Sequence, residues 1–213
     1  MNVDIVCFDC DSTLSKIEGI DELAQRAGLG SEMARLTNLA MNGEVPLEAV
    51  YERRLTLIQP DRLAIEWLAD LYVEQIVDGA AEVCATLLDH GKQVHIISGG
   101  IRQAIMLLAE KLGVPEKQIH AVDLCFNDDG SYNGFNSASP LARSGGKAEV
   151  CRSLINNQAS LVMVGDGQTD LESKQAGAFF IGFGGVVKRS AIASQADKYI
   201  EGDDLRPVVE YIL

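Results

Sequence analysis

Two pairs of aspartates have the spacing and the sequence context for metal and proton chemistry. Asp9 and Asp11 lie two residues apart and Asp166 and Asp170 four apart, each pair directly after an apolar run. Carboxylates at the end of a buried strand lose solvation and repel each other unless a cation or a shared proton relieves them. Alone, Asp9 and Asp11 also fit a solvated turn at a strand end, and Asp166 and Asp170 also fit helix capping and complementarity to the helix dipole. All four together favour a hard divalent cation with oxygen ligands, and Mg²⁺ is the ion we expect.

A serine and a lysine elsewhere in the chain have the context of anion-binding groups. Ser98 follows an apolar run and precedes two glycines, where its hydroxyl and the free amides of a helix start would form an anion site. A plain helix N-cap is the alternative for this serine. Lys147 opens a predicted helix after two glycines, where a cation is unfavourable unless an anion lies nearby. A solvated surface lysine is the alternative there.

The elements that would position these side chains alternate between strand and helix. Short apolar runs at residues 3–8, 93–97, 161–164 and 178–182 predict buried parallel strands. The segments between them have apolar residues at helical spacing. This alternation predicts an α/β fold with a doubly wound, mostly parallel sheet. Such sheets bind ligands at the carboxyl ends of their strands, where all of these polar residues lie.

Two segments depart from the alternation. Residues 15–76 are helical by pattern and predict a helical cap inserted after the first strand. Turn signals within residues 123–138, at Asn127-Asp128-Asp129-Gly130 and Asn133-Gly134, predict a small β-hairpin flap. We therefore predict an α/β core domain formed by residues 1–14 and 77–213, and a cap domain formed by residues 15–76.

Composition excludes several classes of function. The 213 residues are 47% hydrophobic and 23% charged, which is ordinary for a globular protein. A formal net charge of −13 disfavours nucleic acid and anionic membranes as partners. No apolar run is long enough to span a bilayer. Five cysteines and no basic leader predict free thiols and a cytoplasmic location. His90, His95 and His120 lack zinc-site spacing, and we expect structural roles for them.

Taken in order, the motifs resemble those of the haloacid-dehalogenase-like hydrolases. They are Asp9-Cys10-Asp11-Ser12-Thr13, Ser98-Gly99-Gly100, Lys147 and Gly165-Asp166-Gly167-Gln168-Thr169-Asp170. Residues 18–24, 41–46, 54–60 and 182–185 further resemble the phosphoserine phosphatase family, so that the likeness runs from residue 5 to about residue 190. It implies Mg²⁺-dependent hydrolysis of O-phospho-L-serine through an aspartyl-phosphate, as a step of serine biosynthesis.

The resemblance also implies the catalytic roles. Asp9 would be the nucleophile, while Asp11 would protonate the leaving alkoxide and then activate water. Asp11 must then be protonated when substrate binds, so we expect burial to raise its pKa. The implied metal ligands are Asp9, the Asp11 backbone carbonyl and Asp166, with Asp170 at the edge of the site. Ser98 and Lys147 would stabilise the phosphoryl oxygens.

Substrate specificity is implied to lie in the cap. The implied substrate-binding residues are Glu18, Met41, Arg54, Ser98, Gly99, Gly100, Lys147 and Thr169. Glu18 would pair with the substrate ammonium, Arg54 would bind its carboxylate, and Met41 would form an apolar wall. By pattern alone, Glu18 fits an exposed loop and Arg54 a helix surface. The cap would close over the substrate.

Two positions depart from the family pattern. Cys10 replaces an aliphatic residue and places a thiol beside the nucleophile, which would introduce oxidation sensitivity. Arg143 lies in a divergent stretch and would shift preference toward another phosphomonoester. Three alternatives therefore stay open: a phosphatase for another small phosphomonoester, a phosphotransferase, and a non-catalytic binding protein. We expect a monomer or a homodimer.

Overall fold

The structure, a computed structural model, describes residues 3–41, 44–46, 48–155 and 159–213. The strands are β1 (Ile5–Phe8), β2 (Gln93–Ile101), β3 (Ile119–Val122), β4 (Leu124–Phe126), β5 (Tyr132–Phe135), β6 (Leu161–Gly165), β7 (Phe179–Phe183) and β8 (Lys198–Ile200). The α-helices are α1 (Gly19–Arg26), α2 (Gly30–Met41), α3 (Glu48–Ile58), α4 (Arg62–Glu74), α5 (Ala80–Asp89), α6 (Arg102–Lys111), α7 (Gly146–Leu154), α8 (Gln168–Leu171), α9 (Ser190–Ala193) and α10 (Val208–Ile212).

Six strands form one sheet in the order β3-β2-β1-β6-β7-β8, and all neighbouring strands in it are parallel. The four predicted strands are confirmed, and so is the doubly wound α/β class. Every residue of β1 and β6 is buried, as expected for central strands covered on both faces. The sequence analysis missed the edge strands β3 and β8, which are short and less apolar.

The strand order places a crevice at the centre of the sheet. From β1 the chain proceeds through β2 and β3 toward one edge, whereas β6, β7 and β8 extend toward the other. The order reverses between β1 and β6, which is where open α/β sheets bind ligands. Asp9 follows β1 and Asp166 follows β6, so both stand at this crevice.

Helices α1 to α4 occupy the segment predicted to be a cap, and the described part of residues 15–76 contains no strand of the sheet. Helix α4 packs against α6, which follows β2. A distinct cap domain remains a prediction. Strands β4 and β5 pair antiparallel, as predicted for the hairpin flap.

The core surrounds the central strands. The helices contribute rows of buried apolar side chains, as α6 does with Ala104, Ile105 and Leu108. Full burial of one large aliphatic side chain stabilises a fold by roughly 1.5–3 kcal/mol. All five cysteines are free, and only Cys125 is exposed. None of the described helices is long and apolar enough to cross a membrane.

A pair of histidines joins β2 to β3. The rings of His95 and His120 stack with their centroids 5.3 Å apart, and His95 Nδ1 lies 3.0 Å from His120 Nε2. Burial, followed by the neighbouring His120, lowers the pKa of His95 to about 4. His90 is exposed, and its ring Nδ1 lies 2.7 Å from the carbonyl oxygen of Thr86. These positions agree with the expected structural roles.

Candidate active site

One cleft lies at the carboxyl edge of the sheet. The predicted site residues that line it are Asp9, Asp11, Glu18, Arg54, Ser98, Gly99, Gly100, Lys147 and Asp166. Asp170 lies fully buried behind this lining. Thr169 is buried on α8 outside the lining, and its hydroxyl has no hydrogen-bond partner among the described residues. Met41 ends helix α2, and its side chain lies outside the described part of the structure.

Lys147 is the cationic centre of this cleft. Its Nζ lies 2.8 Å from Asp9 Oδ1 and 2.6 Å from Asp170 Oδ1, and all three side chains are at least 95% buried. Burial alone would lower the pKa of Lys147, but the ion pairs with Asp170 and Asp9 outweigh it and raise the pKa. The alternative of a solvated surface lysine is therefore wrong. A lysine in the first turn of a helix requires nearby anions, and here the carboxylates of Asp9 and Asp170 supply them.

The two glycines before Lys147 explain how it reaches the cleft. Gly145 has a φ of 77° at the start of α7, a left-handed conformation that favours glycine. A Cβ on Gly146 would collide with the carbonyl oxygen of Pro140. The chain can thus turn sharply and begin a helix directly beneath the sheet edge, which directs Lys147 toward Asp9.

Asp166 and Asp170 each use one oxygen for a structural contact. Asp170 Oδ2 accepts a hydrogen bond of 3.0 Å from the Gly167 amide, so the helix-capping alternative is correct for that oxygen. Asp166 Oδ2 accepts one of 3.2 Å from Arg189 Nε. The sequence analysis missed Arg189, since nothing in the local pattern after β7 marks it as part of the site.

Asp9, Asp166 and Asp170 form a buried group whose carboxylate oxygens lie within 4.8 Å of one another. Burial and the charges of Asp170 and Asp9 raise the pKa of Asp166 well above its ordinary value. Lys147 and Arg189 offset only part of this negative charge. A hard cation with oxygen ligands fits the excess, in agreement with the predicted ligand set. The Asp11 carboxylate is not in this group, and metal binding through the Asp11 backbone carbonyl stays a prediction.

The Asp11 carboxyl, two residues after Asp9, is held by groups from three other segments of the chain. Oδ1 accepts hydrogen bonds from Tyr72 Oη at 2.6 Å and from the Gly19 amide at 2.7 Å. Ser98 Oγ donates to Oδ2 over a longer distance of 3.5 Å. Burial and the charge of Asp9 raise the pKa of Asp11 to about 6, which is the predicted direction.

Ser98 occupies a different local structure from the one predicted. Strand β2 continues through Ser98 and both glycines to Ile101, and α6 begins only at Arg102. Ser98 is therefore neither at a helix start nor an N-cap. Its Oγ accepts a hydrogen bond of 3.0 Å from the Gly100 amide, and Tyr51 Oη donates to the carbonyl of Gly99 at 2.8 Å. The extended strand end, rather than a helix terminus, presents these groups to the cleft.

The end of the cleft nearest helices α1 and α3 carries one acid and one base. Glu18 is half-buried, and its Oε1 accepts a hydrogen bond of 2.6 Å from Ser12 Oγ. Burial, then Asp11 and Asp166, raise the pKa of Glu18 well above its ordinary value. Arg54 is only 2% exposed, and its guanidinium lies 5.8 Å from the centre of the Tyr51 ring. The alternatives of an exposed loop glutamate and a surface arginine are thus wrong.

Several cleft residues were not predicted. They are Gly19, Ile20, Tyr51, Leu68, Tyr72 and Ile101. All except Ile101 come from the helical segment between β1 and α5, and they contribute apolar surface with two tyrosine hydroxyls. Apolar side chains at helical spacing look the same in sequence whether they line a cleft or a core. Only tertiary placement distinguishes the two cases.

The two departures from the family pattern lie in inert settings. Cys10 is fully buried, and burial, followed by the charges of Asp11 and Asp9, raises the pKa of its thiol. A buried thiol that stays protonated is unreactive, so the structure contradicts the expected oxidation sensitivity. Arg143 is outside the cleft lining and forms an exposed ion pair of 2.6 Å with Glu149. Its position gives no support to an effect on substrate preference.

A model of the haloacid dehalogenase-like hydrolase family matches residues 6–173 of the chain. The chain belongs to this family. Phosphoserine phosphatase of Bos taurus is 40% identical over 201 residues, which cover 93% of this chain and 89% of that protein. Phosphoserine phosphatase of Homo sapiens is 39% identical with the same coverage. A solved phosphoserine phosphatase with a phospho-aspartyl intermediate analogue superposes with a TM-score of 0.85, at 28% identity and full coverage of both chains. This haloacid dehalogenase-like hydrolase is therefore similar to phosphoserine phosphatases over nearly its whole length.

Proposed function

We propose that the protein is a Mg²⁺-dependent phosphatase that hydrolyses O-phospho-L-serine to L-serine and phosphate through an aspartyl-phosphate on Asp9. The observation that carries this proposal is the pairing of functions within one cleft. Asp9 and Lys147 are in contact at one end, and Glu18 with Arg54 form the other. The 40% identity to bovine phosphoserine phosphatase supports the same substrate.

The metal ligands in this proposal are Asp9, Asp166 and the backbone carbonyl of Asp11, with Asp170 at the edge. When bound, Mg²⁺ would neutralise the nucleophile and the phosphoryl oxygens together. Asp170 would also hold Lys147, as its ion pair of 2.6 Å does in the structure. This local cationic charge lets a chain of net charge −13 bind a phosphate ester.

In the first step, a carboxylate oxygen of Asp9 attacks phosphorus, and the bond from phosphorus to the serine oxygen breaks. Asp11 gives its proton to that oxygen, so that serine leaves as an alcohol. The Cys10 amide donates to Asp9 Oδ1 at 2.7 Å, and Lys147 contacts the same oxygen, which fixes the orientation of the nucleophile. A pKa of about 6 keeps a useful fraction of Asp11 protonated near neutral pH.

In the second step, Asp11 takes a proton from water, whose oxygen bonds to phosphorus. The bond from phosphorus to Asp9 breaks, which releases phosphate and restores both carboxyl groups to their starting states. Ser98 and the neighbouring amides would stabilise the equatorial oxygens in both steps. The helices over the cleft would exclude bulk water while this intermediate exists.

Substrate recognition is assigned to the other end of the cleft. Burial first, and then the negative charges of Asp11 and Asp166, raise the pKa of the Glu18 carboxyl well above its ordinary value. A substrate ammonium would supply positive charge there. The buried guanidinium of Arg54 would bind the substrate carboxylate with two parallel hydrogen bonds. Met41 and Thr169 remain predicted contacts.

We place this reaction in serine biosynthesis, because free serine is its product. The free state of all five cysteines supports a reducing compartment, and we propose the cytoplasm. We further propose a cap domain formed by residues 15–76, and a monomer or a homodimer as the active state.

The experiment is phosphate release from L-phosphoserine, phosphothreonine, phosphoethanolamine and a sugar phosphate, with Mg²⁺ or with a chelator. We expect phosphoserine to be preferred by more than roughly tenfold, loss of activity on chelation, and recovery when Mg²⁺ is restored. An Asp9→Asn variant should lose activity by at least about 10⁴-fold, because the nucleophile is gone. Preference for another ester would contradict the assignment of Glu18 and Arg54. Phosphate release only with an added alcohol acceptor would indicate a phosphotransferase, and binding without turnover a non-catalytic protein.

A further inference from the structure

The carboxyl group of Asp11 is held through only one of its two oxygens. Tyr72 Oη and the Gly19 amide both donate to Oδ1, at 2.6 and 2.7 Å. An oxygen that accepts two hydrogen bonds cannot also carry the proton of the neutral acid, because both of its lone-pair directions are in use. With Oδ1 held by these two donors, Oδ2 is the oxygen of Asp11 that is left to carry and transfer a proton in the proposed reaction. That oxygen faces Ser98 Oγ at 3.5 Å, on the side where Ser98, Gly99 and Gly100 line the cleft.

Tyr72 is fixed where it makes this contact. It lies on α4 and is fully buried, and its backbone carbonyl accepts a hydrogen bond of 3.2 Å from Ser15 Oγ. A Cβ on Gly19 would collide with the Tyr72 hydroxyl, so the close approach of the ring requires glycine at that position. The hydroxyl therefore has little freedom to leave Asp11.

We propose that Tyr72 is a positioning residue for proton transfer, and this inference rests on the proposed phosphatase function. Its hydroxyl holds Oδ1 so that Oδ2 directs its proton toward the ester oxygen of the substrate. When the bond from phosphorus to that oxygen breaks, the proton moves from Oδ2 to the oxygen and Asp11 becomes a carboxylate. Tyr72 keeps its own proton throughout. Gly19 alone would leave the carboxyl free to turn about a single hydrogen bond.

The choice of leaving group separates this role from a general structural one. Serine leaves as a strongly basic alkoxide unless it is protonated, whereas nitrophenolate leaves readily without an acid. A misdirected Asp11 should thus slow the first step for phosphoserine and spare it for p-nitrophenyl phosphate. A defect in packing or in phosphate binding would slow both substrates.

The test is a Tyr72→Phe variant, which removes the hydroxyl and retains the ring. The first step is followed in single turnover with enzyme in excess, as release of serine or of nitrophenolate. We expect serine release to slow roughly 10- to 100-fold, a part of what a general acid contributes, with KM within about twofold of the wild type because no direct substrate contact is lost. Nitrophenolate release should change less than about twofold.

Tyr211→Phe is the matched control, since Tyr211 is a half-buried tyrosine on α10 outside the cleft lining. Equal slowing of both substrates by Tyr72→Phe, or no slowing of either, would overturn the positioning role. If the wild type releases no serine, the proposed function fails separately, and the comparison is repeated with an alkyl phosphate that it does cleave. Absence of any alkyl phosphatase activity would overturn both proposals.

Discussion

The two ends of the cleft are built on different principles. At the core end, formed by Asp9, Ser98, Lys147, Asp166 and Asp170, charged groups contact one another directly and come from the ends of parallel strands or the helices that follow them. At the cap end, formed by Glu18, Tyr51 and Arg54, the helical segment supplies a mixture of charge and aromatic surface. In the proposed function the core end binds only the phosphate group. The cap end binds the rest of the substrate, so substitutions of a few helical side chains there would change which substrate is accepted.

The two ends therefore differ in what a substitution should change, the rate of reaction at one end and the choice of substrate at the other. Buried ion pairs such as Lys147 with Asp9 are costly to alter, because removing one partner leaves the other charge unpaired. The guanidinium of Arg54 lies 5.8 Å from the centre of the Tyr51 ring, and in the proposed function it would gain the substrate carboxylate as an additional, transient partner. The core end should therefore set the rate for every substrate, and the cap end should set the choice among substrates.

The largest effect should come from Lys147→Met. Loss of the ammonium removes the counter-charge of Asp9 and a phosphate-binding group, so we expect kcat/KM to fall roughly 10³-fold. The fall should be similar for phosphoserine and for p-nitrophenyl phosphate in steady-state assays. Lys174→Met is the matched control, since Lys174 pairs with Asp197 at 2.8 Å on the surface. A loss confined to phosphoserine would contradict the division between the two ends.

Arg54→Met should affect substrate choice instead. We expect kcat/KM for phosphoserine to fall roughly 30- to 100-fold, about what one buried charged contact provides. Phosphoethanolamine lacks the carboxylate, so its turnover should be unchanged. Glu18→Gln should lower kcat/KM for both phosphoserine and phosphoethanolamine, because both substrates carry the ammonium group. The exposed neighbour Arg53, changed to Met, serves as the control. Equal losses on both substrates in Arg54→Met would refute its assignment to the carboxylate.

A smaller effect is expected where the two ends meet. Tyr51→Phe removes the hydrogen bond to the carbonyl of Gly99, which joins α3 to the end of β2. One such bond is worth about 1 kcal/mol net, which corresponds to a roughly fivefold fall in kcat/KM. Both phosphoserine and p-nitrophenyl phosphate should respond, since the contact orients the end of β2 that is proposed to bind phosphate. An effect on phosphoserine alone would instead place Tyr51 with Arg54 in substrate choice.

The smallest catalytic effect should come from the pair of His95 and His120, which lies outside the cleft lining. His95 has a folded-state pKa of about 4, below its ordinary value of 6.5, so the unfolded chain binds the extra proton first as the pH falls. The contribution of the neutral His95 ring to the free energy of unfolding is thus fully present above pH 6.5. It is lost as the pH falls from 6.5 to 4. Urea unfolding of His95→Gln should show a shallower loss of stability over this window than the wild type. His90→Gln should follow the wild type, and kcat near pH 7 should change in neither variant.

Sequence reasoning reached the two ends to different extents. Asp9, Asp11, Asp166 and Lys147 could be found from the residues alone, because strand ends are readable and charge at a buried strand end requires an explanation. Glu18 and Arg54 were reached only through resemblance to a family, since their helical context looks like ordinary surface. Tyr51 and Tyr72 were missed, because their roles depend on how helices pack over the sheet. The sequence analysis also misjudged the end of β2, where glycines suggested a helix start but the strand continues.

The order of strands in the sheet has a consequence for how the enzyme matures. Ile5 pairs with Gln93 on one side and with Leu161 on the other, so β1 cannot be flanked until most of the chain exists. At roughly 5–20 residues per second of synthesis, Asp9 would wait on the order of 10–30 s for strand β6, which brings Asp166 to the same edge of the sheet. Contacts so distant along the chain are also slow to form during refolding. Catalytic competence should therefore be among the last properties that the newly made protein acquires, well after its first helices have formed.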